Sequence, residues 1–518
     1  MKSVKKRINL FSASFIILSF VFAISLAACS NPADGNNPSE EQTENTTDET
    51  NCFLVEDSYS KSGDNPVYYK LPFSAFDDAT VFNKTLAQVS LINSMKTESE
   101  SFIKSFYSGI GFDNIVSKNA TEGKTYDDNT VADSISYTLA HKNLNGFDII
   151  AVSVRGFGYN AEWLSNFTVG ESGDHLGFYS AAVKVYDGLK SYINENYSQS
   201  YSDKKIKLWV TGYSRAGAAA NILSYLMITD SEKKLDVEPK NMFVYTFASP
   251  RALLEEHALA YNNVFNIVSN TDLVTHVVPS SWGFKRCGID KVIFEGKESD
   301  YKEVFNEQTK KYSYSTKLDD LLKAYDSESK LSVFCEHDQG QEGSLNYKTE
   351  PEMLDYYWNL ISNKDETATG GISLKTRELY AKTVQDMAAY VYTLYTENSG
   401  KFTNIANVII PGESFNFSKI MDILSSKEKF CAGIKELFDK AEIKYGDEET
   451  LKLNIGKLYD SIDFMGKNGC LSELFMLEIL PSVSGMFTGA AAPNLELMRC
   501  ISAHNPECYY VLLNVYTE

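Results

Sequence analysis

The sequence predicts an α/β fold in which helices flank a mainly parallel central sheet. Short apolar segments with strand character alternate with helical segments along the chain, an order typical of parallel sheets with helical crossovers. With 518 residues, the chain can form one large domain with an insertion, or two domains. Its hydrophobic fraction of 43% and aromatic fraction of 13% are sufficient for a buried core.

The first residues have the pattern of an export signal. Four basic residues within the first seven precede a mostly apolar run over residues 8–28, which closes with small residues before Cys29. A cysteine at this place resembles the bacterial lipobox, so we expect residues 1–28 to be a signal peptide and Cys29 to be lipidated. An uncleaved transmembrane anchor is the alternative, because the run is nearly long enough to span a bilayer. Both interpretations place the body outside the cytoplasm, anchored to a membrane.

The segment that follows predicts a flexible tether. Residues 30–51 lack Lys and Arg and consist mostly of Ser, Asn, Thr, Asp, Glu and Pro, so residues 29–51 cannot bury apolar area. The formal net charge of the whole chain is −20. This acidity argues against a nucleic-acid partner and against electrostatic docking on anionic lipids.

The body of the chain begins with mixed short helical and loop signals, and the pattern then becomes regular. Helices are predicted at residues 82–95 and 101–107. Asn145-Gly146 is a turn signal between two β-rich segments, residues 134–141 and 147–155, and predicts a hairpin. Further strands are predicted at residues 206–210, 243–247 and 264–268, and further helices at residues 177–192, 215–227 and 252–260.

Beyond residue 300 the pattern becomes that of amphipathic helices. Apolar residues recur at spacings of three and four around residues 380–394, 430–437 and 451–465. We therefore divide the chain into a sheet-bearing core at 52–299, a mostly helical insertion at 300–485, and a C-terminal part of the core at 486–518. The insertion is equally compatible with a lid over an active site and with a peripheral helical bundle, because both bury an apolar face.

The strongest chemical signal is the segment Gly212-Tyr213-Ser214-Arg215-Ala216-Gly217. A predicted strand runs into Ser214, small residues surround it, and an Ala-rich helix follows, which is the pattern of a nucleophile elbow. A sharp turn there holds the hydroxyl above the sheet, and small neighbours let the helix pack against the strand. A serine in an ordinary strand-to-helix loop is the alternative, which the flanking strand and helix disfavour.

With these residues in place, the chain resembles the class 3 (fungal-type) lipase family. The resemblance covers about residues 80–290 and resumes near 498–518. It implies an α/β-hydrolase fold and the hydrolysis of acyl esters, with Ser214 as the nucleophile and Asp272 as the acid of the triad. For Asp272, a turn-forming role is the alternative. The other segments that carry the resemblance are Val152–Gly156 with Glu162-Trp163, Asp174–Phe178, Thr246–Arg251, and Asn266–Val274 closing at Pro279.

A Ser-His-Asp triad needs a histidine, and the chain has six: His141, His175, His257, His276, His337 and His504. The order Ser, Asp, His that is expected for this fold disfavours the three histidines that precede Asp272. His276 is tethered to Asp272 by only four residues, and His337 lies within the insertion without a motif around it. His504 remains as the expected general base. The large helical insertion would then separate the catalytic Asp from the catalytic His.

The oxyanion that forms during attack needs backbone donors. The expected donors are the N–H groups of Arg215, directly after the nucleophile, and of Phe157, which follows Arg155-Gly156. Family members usually have Ser or Thr at the second position. Phe157 can provide an amide but no hydroxyl.

The predicted function is hydrolysis of carboxylic esters of acyl lipids, such as triacylglycerols, by an exported, membrane-anchored serine hydrolase. A phospholipase, thioesterase or peptidase could use the same triad, and a non-catalytic surface lipoprotein on a hydrolase scaffold is a further alternative. No cofactor is expected, and no histidine pair has the spacing of metal ligands on a helix. Seven cysteines remain besides Cys29, and they predict no particular pairing.

Overall fold

The computed structural model describes the chain in two compact units. Among the described residues, those within Ser30–Trp163, Gly173–Asp355 and Leu497–Glu518 form a sheet unit, and those within Leu164–Ser172 and Tyr356–Glu496 form a helical unit. The described residues are 51–62, 65–127, 134–157, 161–229, 235–269, 272–276, 278, 282–293, 313–314, eight positions between 377 and 398, 425–467, 504 and 506–516. The predicted signal peptide, Cys29 and nearly all of the predicted tether lie outside these residues.

The described strands are β1 (Cys52–Ser62), β2 (Asn65–Pro72), β3 (Asp113–Asn119), β4 (Ser136–Leu144), β5 (Phe147–Val154), β6 (Ile206–Tyr213), β7 (Met242–Phe247), β8 (Leu253–Leu254), β9 (Val264–Val268), β10 (Phe284–Lys285), β11 (Ile289–Val292) and β12 (Ser313–Tyr314). The described helices are α1 (Lys84–Lys96), α2 (Glu100–Gly109), α3 (Leu176–Asn196), α4 (Ser198–Ser202), α5 (Arg215–Thr229), α6 (Lys427–Lys440), α7 (Glu448–Lys467) and α8 (Pro506–Val515).

A seven-stranded sheet in the order β11-β9-β7-β6-β5-β4-β3 is the centre of the sheet unit. The strands from β5 to β11 in this order pair in parallel, whereas β3 and β4 extend one edge antiparallel. Strands β4 and β5 form the predicted hairpin, and both turn residues, Asn145 and Gly146, have the positive φ of a tight hairpin turn. The predicted α/β fold with a mainly parallel sheet is confirmed.

Helices cover both faces of this sheet because alternate residues of each buried strand point to opposite sides. On one side, Trp209 of β6 donates from its indole nitrogen to the hydroxyl of Ser90 in α1 over 2.8 Å. On the other side, Gly212 of β6 faces Ala216 in α5. Parallel strands buried on both faces are apolar nearly throughout, and all eight residues of β6 are buried.

The structure corrects the prediction of a helix over residues 252–260. Only a two-residue strand, β8, and turns form there. The amide of Ala252 donates to the carbonyl oxygen of Lys285 over 3.0 Å, and that of Leu254 donates to the Asp174 carboxylate over 2.8 Å. These partners and the antiparallel pairing of β8 with β10 hold residues 253–254 in an extended conformation.

Three strands were not predicted from the mixed signals of residues 52–130: β1, β2 and β3. Strands β1 and β2 pair antiparallel with each other, and β12 pairs with β1. Phe53, Val55 and Asp57 of β1 alternate as buried positions, and a buried carboxylate within this series breaks the apolar pattern. The hydroxyl of Tyr510 in α8 donates a hydrogen bond to the Asp57 carboxylate over 2.5 Å. Spacing along the sequence does not reveal this contact.

The helical unit contains two of the predicted amphipathic helices. Helix α7 buries Leu451 and Ile455, as their apolar spacing predicts. Helix α6 buries Phe430 of its predicted series and also Phe438, whereas Ile434 and Leu437 are only partly buried. The predicted helix over residues 380–394 lies mostly outside the described residues. Residues 315–376 of the predicted insertion and residues 468–503, which run past its predicted end at 485, also lie outside them. In the part of the chain that the structure describes, no helix has both the length and the hydropathy to cross a membrane.

Candidate active site

Ser214 lies on a sharp turn between the end of β6 and the start of α5. Its φ is +56°, in the left-handed region that residues with a side chain rarely adopt. Backbone hydrogen bonds hold this turn. The Ser214 amide donates to the carbonyl oxygen of Phe247, the last residue of β7, over 2.8 Å. The Ser214 carbonyl in turn accepts the amide of Ala218 over 3.1 Å, which begins the helical ladder. The predicted strand–turn–helix is therefore present.

Small residues are required where the chain segments approach this turn. A Cβ atom on Gly212 would lie 2.3 Å from the carbonyl oxygen of Ala216, and one on Gly156 would lie 2.5 Å from that of Tyr213. A Cβ atom on Gly217 would lie 3.0 Å from the carbonyl oxygen of Phe247. The alanine in the fifth position of the motif is therefore accommodated, because Gly217 is the residue that packs against β7.

The structure brings Ser214, His504 and Asp272 into one hydrogen-bonded row. The Nε2 atom of His504 lies 2.8 Å from the Ser214 hydroxyl oxygen. The Nδ1 atom of the same ring lies 2.9 Å and 3.1 Å from the two carboxylate oxygens of Asp272. These residues follow β6, precede α8 and follow β9, so three separate elements of the sheet unit meet here. All three distances fall within the hydrogen-bond range that proton transfer between positioned groups requires.

Asp272 is fully buried and receives two further hydrogen bonds. The Val274 amide donates to it over 2.8 Å, and the Tyr509 hydroxyl donates over 2.7 Å. Tyr509 in turn accepts the Ser269 amide over 3.1 Å. Burial and the neighbouring Asp272 charge raise the pKa of Tyr509 well above its ordinary value, so its hydroxyl remains a donor. Tyr509 was missed in the sequence, where a polar aromatic residue five positions after His504 was the available signal.

The other described histidines have different partners. The imidazole of His141 lies between Asp113 and Asp148, and that of His257 bonds to Asp174. His175 caps α3 by accepting the Phe178 amide. The Nδ1 atom of His276 lies 3.1 Å from the Arg251 guanidinium. His337 lies outside the described residues.

A buried carboxylate connects the two segments that carry the expected oxyanion donors. Glu162 bonds to the Arg155 guanidinium over 2.8 Å and to the Arg215 guanidinium over 3.2 Å, and all three side chains are at most 1% exposed. The Arg215 guanidinium also donates to the carbonyl oxygen of Ser134 over 2.8 Å. Arg155 lies two residues before Phe157, so this cluster joins the segment that carries the Phe157 amide to the segment that carries the Arg215 amide. Neither arginine was predicted to act through its side chain.

Phe157 is half-buried beside the nucleophile turn. Its ring lies 5.1 Å from the ring of Tyr213, the residue that precedes Ser214. The Tyr213 hydroxyl donates to the carbonyl oxygen of His504 over 2.8 Å, and its ring lies 5.6 Å from the imidazole. An aromatic row thus connects the expected second oxyanion residue to the histidine. Among the residues that the structure describes, no group of three or more His, Cys, Asp and Glu side chains is arranged to hold a metal ion.

Comparison with known proteins places similarity on the same segment. Residues 151–282 match the family model Lipase (class 3). Lipases of Rhizopus niveus and Rhizopus oryzae are each 29% identical over 129 residues, or 24% of this chain and 31% of each relative. The chain thus spans about a third of these curated relatives. Solved structures similar to this chain include two lipases, both with low TM-scores. A fungal lipase–inhibitor complex has 19% identity, covers 40% of this chain and 77% of its own chain, and has a TM-score of 0.32. A Rhizomucor miehei lipase propeptide complex has 18% identity, covers 49% of this chain and 76% of its own chain, and has a TM-score of 0.31. Ser214 and Asp272 therefore lie in a segment that is similar to the class 3 lipases, whereas His504 lies outside it.

Proposed function

We propose that this protein is a serine hydrolase that cleaves the carboxylic esters of acyl lipids. The observation that carries this proposal is the hydrogen-bonded row of Ser214, His504 and Asp272 at the nucleophile turn. The match of residues 151–282 to class 3 lipases supports an ester substrate, and the two Rhizopus relatives are lipases. The proposed substrate is an acyl ester, with triacylglycerol as the first candidate.

The mechanism follows from the order of the three groups. His504 accepts the hydroxyl proton through Nε2 while Ser214 Oγ attacks the ester carbonyl carbon, and Asp272 orients the ring and stabilises the imidazolium. The oxyanion accepts hydrogen bonds from the Arg215 and Phe157 amides. The tetrahedral intermediate collapses, the carbon–oxygen bond to the alcohol breaks, and His504 protonates the departing alcohol. Water then attacks the acyl-serine with His504 as base, which releases the fatty acid and restores Ser214.

We further propose that the enzyme works outside the cytoplasm, attached to a membrane. The basis is the sequence of the first residues, which has the order of a lipoprotein signal with Cys29 as the lipidated position. The acidic tether after Cys29 would hold the enzyme near lipid substrate without electrostatic adsorption to anionic lipid.

Covalent labelling of the full-length protein in detergent tests the proposal. We expect a fluorophosphonate probe to label the wild type and the Ser202→Ala control, which removes an exposed serine, but not Ser214→Ala. Activity is measured in parallel on a panel of triacylglycerol, phospholipid, thioester and peptide substrates. Preference for one of the last three substrates would redirect the substrate class. A folded wild-type protein that is inert to the probe and to every substrate would contradict the proposed activity and favour a non-catalytic lipoprotein.

A further inference from the structure

We propose that Arg286 is a positioning residue that keeps Asp272 in register with the nucleophile. This inference rests on the proposed function, because it assigns a role in the same reaction. Its basis is that one guanidinium group holds two loops at once. One of these loops follows Asp272, and the other packs against the nucleophile turn.

The guanidinium of Arg286 bonds to the backbone of both loops. Its Nη1 atom donates to the carbonyl oxygens of Ser249 and Thr275, each over 3.0 Å. Thr275 belongs to the short 3-10 helix Leu273–His276, and its hydroxyl donates to the carbonyl oxygen of Asp272 over 2.8 Å. The Arg286 side chain is only 7% exposed, so water does not readily replace these bonds.

The Ser249 loop leads directly to the nucleophile. It follows β7, whose last residue, Phe247, accepts the Ser214 amide over 2.8 Å. The Cβ atom of Ser249 would lie 3.1 Å from a Cβ atom on Gly217, so this loop also packs against the start of α5. Through its two carbonyl partners, Arg286 therefore connects the elbow to the turn that begins at Asp272.

Asp290 fixes the orientation of this guanidinium. Its carboxylate accepts from Arg286 Nη2 over 2.6 Å and from Arg286 Nε over 3.1 Å, and the Asn266 side-chain amide bonds to it over 3.0 Å. Partial desolvation raises the pKa of Asp290, whose side chain is 38% exposed, but the Arg286 charge and these hydrogen bonds outweigh it and lower the pKa overall. Asp290 is therefore ionised and forms a fork-to-carboxylate pair, which the single ammonium group of a lysine cannot reproduce while it also reaches both carbonyls.

The test compares Arg286→Lys and Arg286→Met with a Lys285→Met control. Lys285 is the adjacent cation and pairs with exposed Glu255. The readouts are kcat, KM and the pH dependence of kcat/KM on a short soluble ester. We expect kcat to fall about tenfold to a hundredfold in both Arg286 variants, with KM little changed, because small misplacement of a catalytic group has effects of this size. The control should match the wild type.

The pH profile separates positioning from charge. The groups that face this network are Asp272, Tyr509, Asp290 and Arg251, with Tyr213 beside His504. If Asp272 is displaced, the His504 imidazolium loses its counter-charge, so the acidic limb of kcat/KM should move to lower pH in both variants. Loss of a nearby cation alone would move this limb to higher pH, and only in Arg286→Met.

The proposal is overturned if folded Arg286→Lys has the kcat and acidic limb of the wild type. It is also overturned if Arg286→Met loses only thermal stability. Should both Arg286 variants fail to fold, Asp290→Asn provides the same comparison, since it keeps the guanidinium and loosens its anchor; unchanged kcat and pH profile there would overturn the role. Failure of the proposed function is distinguishable, because the wild type itself would then be inactive and unlabelled.

Discussion

Asp272 is fully buried, and a buried carboxylate is strongly destabilised unless hydrogen-bond donors satisfy its oxygens. The Val274 amide, the Tyr509 hydroxyl and the His504 ring provide these donors. Only the imidazole can also reach Ser214, so the other donors fix the carboxylate while the histidine remains available for proton transfer. The residues around the acid thus explain why His504, at a separation of 232 positions, meets it in one orientation.

The first prediction at this scale concerns His504. Because members of a triad act as a unit, we expect His504→Ala to lose nearly as much kcat as Ser214→Ala. His257→Ala is the matched control, since His257 also bonds to a carboxylate, that of Asp174, outside the proposed triad. Kinetics on a short soluble ester provide the measurement. A His504→Ala enzyme that keeps most of its activity would refute the role despite the geometry.

The second prediction concerns Glu162. Glu162→Gln leaves the buried Arg155 and Arg215 guanidinium groups without their shared counter-charge, and breaking a buried pair in this way reduces stability by about 3–5 kcal/mol. We expect a lower free energy of unfolding in urea and a lower kcat. Glu255→Gln, which breaks an exposed pair with Lys285, should change stability little. Equal effects of the two substitutions would contradict a structural role for the cluster.

At the scale of elements, β6 and α5 form the elbow through close packing of their backbones. The carbonyl oxygen of Ala216 occupies the place where a side chain on Gly212 would begin. Backbone atoms cannot rotate away as a flexible side chain can, so this contact sets the distance between strand and helix. The strained φ of Ser214 is held by the two neighbouring backbone hydrogen bonds, and such strain persists only where the surroundings enforce it.

We therefore predict that Gly212→Ala destabilises the protein by about 1–3 kcal/mol, the usual range for inserting an atom into a packed interior. Catalytic activity should fall as well, because the displaced helix carries the Arg215 amide. Gly109→Ala is the control, since its added Cβ atom would meet no atom within 4 Å beyond its chain neighbours and the nearby backbone of its own helix. Thermal unfolding and ester hydrolysis are measured for both variants. A Gly212→Ala protein as stable and active as the control would show that the elbow tolerates wider spacing.

At the scale of the whole molecule, the acidic charge and the predicted lipid anchor both bear on how the protein would attach to a membrane. A net charge of −20 keeps the body away from anionic lipid surfaces, so attachment to a membrane would depend on Cys29 and the tether. A lid that limits access to Ser214 stays one of the two interpretations of the helical insertion, based on its place in the sequence between Asp272 and His504.

The corresponding prediction is that Cys29→Ala releases the protein from the membrane fraction of producing cells and abolishes incorporation of a labelled fatty acid. The charge of the body provides no second attachment, so release should be nearly complete. Cys52→Ala is the matched control, because Cys52 begins β1 within the folded body. Fractionation followed by immunoblotting gives the measurement. A Cys29→Ala protein that remains with the membrane would favour an uncleaved transmembrane anchor.

Local patterns in the sequence were sufficient for much of the sheet unit. Alternating apolar segments predicted the parallel strands, Asn145-Gly146 predicted the hairpin, and small residues around Ser214 predicted the elbow. Each of these depends on interactions between residues close in the chain, whose periodicity and conformational preferences can be recognised directly.

Tertiary structure decided what depends on distant partners. Residues 253–254 form β8 instead of the predicted helix because they pair with the distant strand β10. The positions of Tyr509 and Arg286 likewise follow from contacts between elements far apart in sequence. Sequence by itself thus determined the type and order of most central elements. Only the packed structure decided which buried polar groups satisfy one another, because a hydrogen bond between distant residues leaves no periodic signal in the chain.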